Sequence, residues 1–348
     1  MKDKIKTGIF SYGMSGKLFH CPFLHVHPNF DMVKILQRSN NSAKERYPYV
    51  EIVRTVDELL SDPDIDLIIV NTPNDTHFDF TKQALEAGKH VVVEKPFTVT
   101  VSEGKELIEL AGRKNRILSV FQNRRWDGDF MTVRKVVENK LLGRLVEFES
   151  HYDRYRNFIK ENTWKEDPAS KTNILYDLGS HMIDQVLVLF GMPGTVYSDI
   201  RKMRTGSKVN DYFHLELAYP NIKVTVKGSY LVREAGPRYT LHGTEGSFLK
   251  WGIDPQEEAL LNGNSPDAAS WGEEPEENWG TLNTNINNLH FLGKLETIQG
   301  NYLNYFTNIY NAIARGEELK VKPGEALDII RVIETAEESN RLKKTIAL

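Results

Sequence analysis

Several things are scarce in this chain of 348 residues. It has one cysteine, Cys21. A single thiol cannot build an internal disulfide framework and suits a reducing compartment, with buried packing as its expected use. There is no surplus of either charge: 44 Lys and Arg stand against 48 Asp and Glu, a formal net charge of −4. That balance excludes broad attraction to nucleic acid or to an acidic membrane and leaves room only for local basic pockets. No apolar run reaches the ~18 residues that a membrane span needs, and the opening MKDKIKTGIF lacks the apolar stretch of a signal peptide. Repeats, low-complexity tracts and flexible linkers are missing as well. What remains is a protein of ordinary globular composition, 40% apolar and 26% charged, long enough for two domains and expected in the cytoplasm, with no nucleic-acid or membrane partner.

What is present is organised around HVVVEKPF, residues His90 to Phe97. Three valines between Gly88 and Pro96 read as a short buried strand of a parallel sheet. Lys95 then stands at the carboxyl end of that strand, where open α/β sheets bind ligands, and Pro96 restricts the backbone that aims it. A solvated lysine at a strand exit is the plain alternative.

The stretch before it repeats the pattern. Ile5 to Phe10 reads as a strand ending in SYGMSGKLFH, where Ser11, Gly13 and Gly16 follow the spacing G-x-G-x-x-G with serine first. Such a turn lets a pyrophosphate approach the backbone at Gly13 and lets helix and strand pack closely at Gly16; Tyr12, Met14 and Ser15 complete the candidate cofactor loop. A second strand, Phe30 to Gln37, ends roughly 20 residues on, where dinucleotide sites read the adenosine ribose. There Arg38 and Ser39 replace the acid that binds the hydroxyl of NAD, so NADP is favoured and NAD remains an option. Thr55 and Glu58 form a capping box, Leu67 to Val70 is another buried strand, and NTPNDTH, Asn71 to His77, turns into a helix running to Gly88. A helix from about Ser102 to Asn115 and a strand Ile117 to Phe121 continue the alternation. Strand ends at Ser11, Asn71, Lys95 and Gln122 are expected to line one rim of a doubly wound parallel sheet.

Beyond Asn123, Arg124 and a helix at Phe130 to Leu142, the period changes. Arg144 to Arg156 alternates, with Val146, Phe148, Ser150, Tyr152 and Arg154 on one face. Further strands are expected at Val196 to Met203, Asp211 to Ala218, Lys223 to Tyr230, Tyr239 to Gly243 and Ser247 to Trp251, in a large, open, mainly antiparallel sheet. The expected class is therefore α/β plus α+β, with a first domain at 1–122 and a second at 123–348. The broad second sheet suits assembly into a homodimer or homotetramer. Between its strands, the helix Tyr176 to Phe190 carries Asp177 and His181 on one face, one turn apart. Asp177 can alternatively be read as the helix cap, and a metal has no clear third ligand there. Asn262 to Asn301 reads as a long excursion, with Glu273 to Glu277 a solvated acidic face. Tyr302 to Ala314 is expected to be helical, and the last helix, Pro323 to Arg341, is free to pack back on the first domain.

These segments in this order, SYGMSGKLFH, NTPNDTH, EKP, NRRWD and YDLGSHMIDQ, resemble the glucose-fructose oxidoreductase / inositol dehydrogenase / MocA (Gfo/Idh/MocA) family over essentially the whole chain. Within it, FHCP, PNDTHF, KPFTVT, NRRWDGDF and DYFH are most similar to the NADP-dependent scyllo-inositol dehydrogenase branch. The resemblance implies a Rossmann domain followed by a substrate domain, and a hydride exchanged between the nicotinamide and a secondary alcohol or ketone of a cyclic polyol or sugar. It implies catalytic roles for Lys95, Asp177 and His181, with His181 taking the hydroxyl proton, Lys95 stabilising the developing oxyanion and Asp177 orienting the sugar. It implies cofactor contacts from Ser11 to Gly16, Arg38, Ser39, Asn71, Thr72, Pro73, Asn74, His77, Glu94, Lys95, Pro96 and Asn123, the Lys95–Pro96 peptide being commonly cis. It implies a substrate pocket from Asn123, Arg124, Tyr152, Arg154, Asp177 and His181, and no metal. Another aldose, ketose or deoxy sugar, or a non-catalytic nucleotide sensor on the same fold, are the competing readings.

Overall fold

The structure, a computed structural model, describes residues 4–161, 163–170 and 172–348. They form two compact units, the first drawn from the described residues of 4–123, 256–271 and 301–327, the second from those of 124–255, 272–300 and 328–348.

In the first unit, strands β1 (Ile5–Ile9), β2 (Phe30–Leu36), β3 (Glu51–Val53), β4 (Leu67–Val70), β5 (His90–Val93) and β6 (Leu118–Val120) lie in the order β3-β2-β1-β4-β5-β6. Every adjacent pair is parallel. The apolar runs LIIV and VVV fall on β4 and β5, which have neighbours on both sides and are buried. Helices α1 (Cys21–Val26), α2 (Ala43–Arg46), α3 (Val56–Leu60), α4 (His77–Glu86) and α5 (Val101–Lys114) connect them. The Thr55 hydroxyl caps α3 by accepting the Glu58 amide, and α5 opens on a full capping box from Thr100 and Glu103. Strand order reverses between β1 and β4, so the crevice at their carboxyl ends is the binding position of this architecture.

The second unit begins with α6 (Gly128–Glu138), β7 (Leu145–Asp153), α7 (Ser180–Phe190), β8 (Thr195–Arg201), β9 (Tyr212–Ala218), β10 (Lys223–Ser229), β11 (Tyr239–Gly243) and β12 (Gly246–Lys250). A short helix α8 (Gln256–Leu261) belongs to the first unit; β13 (Gly280–Ile286) and β14 (Leu289–Leu295) follow, then α9 (Leu303–Arg315), α10 (Pro323–Leu342) and β15 (Ile346–Ala347). The nine-stranded sheet runs β14-β13-β12-β11-β7-β10-β9-β8-β15. Its one parallel pair is β7 with β10, because β8, β9 and β10 form an antiparallel meander whose last strand returns beside β7. On β7 the alternation is as expected, with Phe148, Ser150 and Tyr152 buried on one face.

Two expectations are corrected. The Asn262 to Asn301 excursion contains the hairpin β13–β14, which extends the sheet. Its turn is Asn287-Asn288, both at positive φ (51° and 65°), the backbone that a tight two-residue hairpin requires and that asparagine tolerates. Within the acidic run, the side chain of Glu274 is buried rather than solvated, accepting from Lys250 Nζ at 2.7 Å and from Thr297 Oγ1 at 2.6 Å. Residues 256–271 and 301–327 group with the first unit. Phe306 of α9 stacks on Phe23 at 5.8 Å, and Tyr305 meets Phe121 edge-on at 4.9 Å. Helix α10 groups with the first unit up to Leu327. Its remainder packs on the second sheet, where the Ser339 hydroxyl accepts the Ser198 amide and Asn340 Oδ1 accepts the Ile200 amide.

Candidate active site

The first unit supplies a dinucleotide-binding rim. After β1 the chain turns through Ser11 to Gly13, and the first helical bond runs from Lys17 N to Gly13 O at 2.9 Å, so the amides of residues 14–16 precede it at the helix end. Ser11 fills its unusual position by accepting the Gly13 amide on Oγ at 3.1 Å. A Cβ at Gly16 would lie 2.2 Å from the Ser11 carbonyl oxygen, whereas one at Gly13 would meet nothing closer than Ser11 Oγ at 3.3 Å. Gly16 is thus required by close packing, and Gly13 leaves the backbone open, as their spacing predicts. Tyr12 is half-buried with the Lys17 amine 5.4 Å from its ring centre, and Met14 is exposed.

Asn71 Nδ2 donates to the Ser11 carbonyl at 2.8 Å and ties the ends of β1 and β4 together. Among the described residues, Ser15 Oγ, Asn71 Oδ1 and Gln122 Oε1 are enclosed side-chain atoms without a partner. All three stand on the rim, and the polar groups of a nicotinamide dinucleotide would satisfy them. The residues present therefore fit the cofactor.

At the end of β2, Arg38 and Ser39 are exposed. The loop is shaped by a residue that sequence reading missed: Arg54, just past β3, donates to the carbonyls of Gln37 and of Asn40 (2.7 Å) and to Asn41 Oδ1 (2.6 Å). Gln37 closes the loop from within, donating to Ser42 Oγ at 3.0 Å and accepting the Ala43 amide at 3.0 Å.

Thr72, Pro73 and Asn74 form the turn before α4, where Thr76 Oγ1 lies 2.7 Å from Thr72 Oγ1. His77 occupies a different place from the one expected of a cofactor ligand. It is buried between two rim loops, with Nδ1 2.8 Å from the Pro96 carbonyl and Nε2 3.0 Å from the Thr72 carbonyl, and as a neutral ring it donates to one of them. Burial holds its pKa below the ordinary value despite those carbonyls and the charge of Glu94. Glu94 is likewise turned inward: Oε1 is 2.8 Å from His20 Nε2 and Oε2 accepts the Lys95 amide at 3.1 Å. Lys95 is half-buried at the strand end, and the Lys95–Pro96 peptide is cis. Asn123, also buried, closes this unit.

The second unit supplies a polar cluster around the helix of Asp177 and His181. That helix starts earlier than expected: Asn173 Oδ1 accepts the amides of Leu175 (2.9 Å) and Tyr176 (3.3 Å), so Asn173 and not Asp177 is the cap. Leu175–Gly179 is a π turn leading directly into α7. Asp177 is released from capping, and its Oδ2 accepts from Lys165 Nζ at 3.0 Å. Asp177 in turn raises the pKa of Lys165. Burial, and then the charge of Asp177, raise the pKa of the Tyr230 phenol, with Arg154 and Lys165 as opposing neighbours. Lys165 and Tyr230 thus join Asp177 and Arg154, an association that only tertiary structure reveals. His181 is buried on α7.

Tyr152 is buried among the guanidinium groups of Arg238 (4.8 Å from the ring centre), Arg154 (5.1 Å) and Arg124 (5.5 Å). Arg124 pairs with Asp127 at 3.2 Å, and its neighbour Arg125 grips Asp184 of α7 through two bonds of 2.8 and 2.6 Å. Cys21 is buried, which pushes its thiol far up and removes it from thiolate chemistry at neutral pH. Among the described residues, no group of three or more His, Cys, Asp and Glu could hold a metal ion, and no helix is long and apolar enough to cross a membrane.

A parallel sheet with a glycine turn at its switch point, a lysine at a neighbouring strand end and a separate polar cluster on a second sheet define a nicotinamide-dependent oxidoreductase. Comparison with known proteins agrees. Residues 5–122 match the Gfo/Idh/MocA family model described as an oxidoreductase family with an NAD-binding Rossmann fold, and residues 134–348 match that family's C-terminal alpha/beta domain. The chain belongs to the Gfo/Idh/MocA oxidoreductase family and is an NAD(P)-dependent dehydrogenase. It is 40% identical over 346 residues, 99% of this chain and 96% of the relative, to scyllo-inositol 2-dehydrogenase (NADP(+)) IolW of Bacillus subtilis. It is 39% identical over 348 residues, the full length of both, to the uncharacterized oxidoreductase YdgJ of Escherichia coli. A crystal structure of a putative oxidoreductase from Bacteroides fragilis, 50% identical, superposes with a TM-score of 0.92 over 99% of this chain and all of that one.

Proposed function

We propose that this dehydrogenase uses NADP to interconvert a secondary alcohol and a ketone on a cyclic polyol or sugar, with scyllo-inositol as the substrate. The observation that carries the reading is the Asp177 and His181 pair on one helix, with Asp177 freed from capping and held by Lys165. When bound, the nicotinamide supplies or accepts the hydride. His181 holds or releases the hydroxyl proton, Lys95 offsets the charge on the oxygen, and Asp177 receives a sugar hydroxyl. Asn123, Arg124, Tyr152 and Arg154 complete the proposed substrate contacts. The substrate is supported by the likeness to the Bacillus subtilis enzyme. NADP is supported by the loop 37–42, QRSNNS, which has no carboxylate, contains Arg38 and is bonded by Arg54.

A spectrophotometric screen of NADP+ and NAD+ reduction against inositols and sugars tests this. Turnover of scyllo-inositol with NADP+ is expected, and loss of turnover in Lys95→Ala and His181→Ala variants that still fold. Wild-type rates in both variants would overturn the roles, and an Arg38→Asp variant with an unchanged NADPH to NADH affinity ratio would overturn the cofactor choice. We also propose a cytoplasmic homodimer or homotetramer assembled through the second sheet. The strand β14 at its edge leaves Leu289 and Leu292 74% and 63% exposed, which suits an apolar contact. Sedimentation of wild type against a Leu289→Lys, Leu292→Lys double variant tests the assembly.

A further inference from the structure

His20 closes the π turn Gly16–His20 that follows the glycine loop. A π turn carries one more residue than an α turn and so rotates the next side chain. Here that side chain is fully buried (0% exposed), with its ring 4.5 Å from Phe121 at the end of β6. Its Nε2 is 2.8 Å from Glu94 Oε1, and the other oxygen, Oε2, accepts the amide of Lys95 at 3.1 Å. Both carboxylate oxygens are thus engaged, one from the dinucleotide-loop helix and one from the backbone of the candidate catalytic lysine. A carboxylate accepts and cannot donate, so His20 Nε2 carries the proton of that bond.

We propose that His20 is a positioning residue for Lys95, acting through the Glu94 carboxylate. Burying Glu94 without a partner would cost more than its two hydrogen bonds return singly, so the carboxylate stays where His20 holds it. The Lys95 amide is then fixed immediately before the cis peptide that leads into Pro96. The groups facing Glu94 are His20 from the first helix, Lys95 on its own strand end and His77 from α4. Burial pushes Glu94 upward, and the bond and charge of His20, followed by Lys95 and His77, hold it below the usual range instead. Removing His20 takes away the bond and charge that most oppose burial, so Glu94 takes up a proton at higher pH than with His20 in place.

The inference rests on Lys95 being catalytic, and its test has one arm that does not. The full chain carrying ¹³C-dimethylated lysines is examined by NMR, with the Lys95 signal assigned by its loss in Lys95→Arg. In His20→Ala the signal is expected to shift and broaden, and in His20→Gln, whose Nε2 restores a donor, to return to its wild-type position. With the substrate found by the screen, His20→Ala is expected to lower kcat by about tenfold, leave NADPH affinity within about threefold, and move the acid limb of the kcat/KM profile up by about one pH unit. His20→Phe keeps the ring packing and removes the donor, and replaces His20→Ala if that variant does not fold. A Lys95 signal and an acid limb unchanged on loss of the donor would overturn the proposal, as would failure of His20→Gln to restore the signal. If no polyol is turned over, the polyol reading fails by itself and the Lys95 signal still decides the coupling.

Discussion

Lys165 Nζ and Asp177 Oδ2 are 3.0 Å apart, an ion pair between a short loop turn and the π turn that opens the α7 helix. It places a cation on the one carboxylate of that helix to which the family resemblance assigns substrate.

Lys165→Met should therefore act on substrate handling. Loss of the pair takes the cation away from Asp177, so kcat/KM is expected to fall about tenfold or more, mostly through KM, while Lys165→Arg keeps most of the activity. Steady-state kinetics on both variants check this, and equal effects from Met and Arg would contradict it.

Arg54 should govern cofactor choice without contacting the chemistry. Its guanidinium bonds to two carbonyls and one side chain of loop 37–41 keep Arg38 and Ser39 in place. In Arg54→Met, NADPH binding is expected to weaken about tenfold, roughly 1.4 kcal/mol, with NADH much less affected. Fluorescence titration of both dinucleotides reads the ratio.

Gly16→Ala puts a methyl 2.2 Å from a backbone oxygen that cannot swing aside. The turn must distort, costing about 2 kcal/mol or more, and dinucleotide binding should be lost with it. Thermal melts with and without NADPH check both, and a wild-type ligand-induced shift would refute the expectation.

His77 makes stability depend on pH. Its folded pKa is lowered by burial, whereas the unfolded chain takes its proton near pH ~6.5. The unfolded state thus binds more protons across the window between those values, so stability rises with pH through it and is lost as pH falls below ~6.5. His77 contributes at most about 1.4 kcal/mol per pH unit to that slope. His27 and His214, also lowered by burial, add to it. Urea unfolding between neutral pH and about pH 5 should give a shallower slope in His77→Asn.

Much of this was legible in the chain itself. Unbroken apolar runs such as LIIV and VVV announce strands buried on both faces, and the glycine spacing at 13 and 16 announces the turn, because both depend on neighbours in sequence. The hairpin at Asn287-Asn288 had a local signal too, but an Asn- and Gly-rich composition hid it. Glu274 was misread because an acidic run looks solvated until Lys250, distant in sequence, comes to pair with it.

The sequence by itself determined the alternating first sheet, its rim residues Ser11, Asn71, Lys95 and Gln122, and the four-residue spacing of Asp177 and His181, since period and spacing are local properties. Only the tertiary structure decided which of those groups are spoken for: Glu94 by His20, His77 by two carbonyls, Asp177 by Lys165, and loop 37–41 by Arg54. Hydrogen bonds and ion pairs join side chains far apart in the chain, and no periodicity records their partners. That is why Lys95 could be named a candidate from HVVVEKPF together with the motifs around it, while the residue inferred to position it, His20, could not.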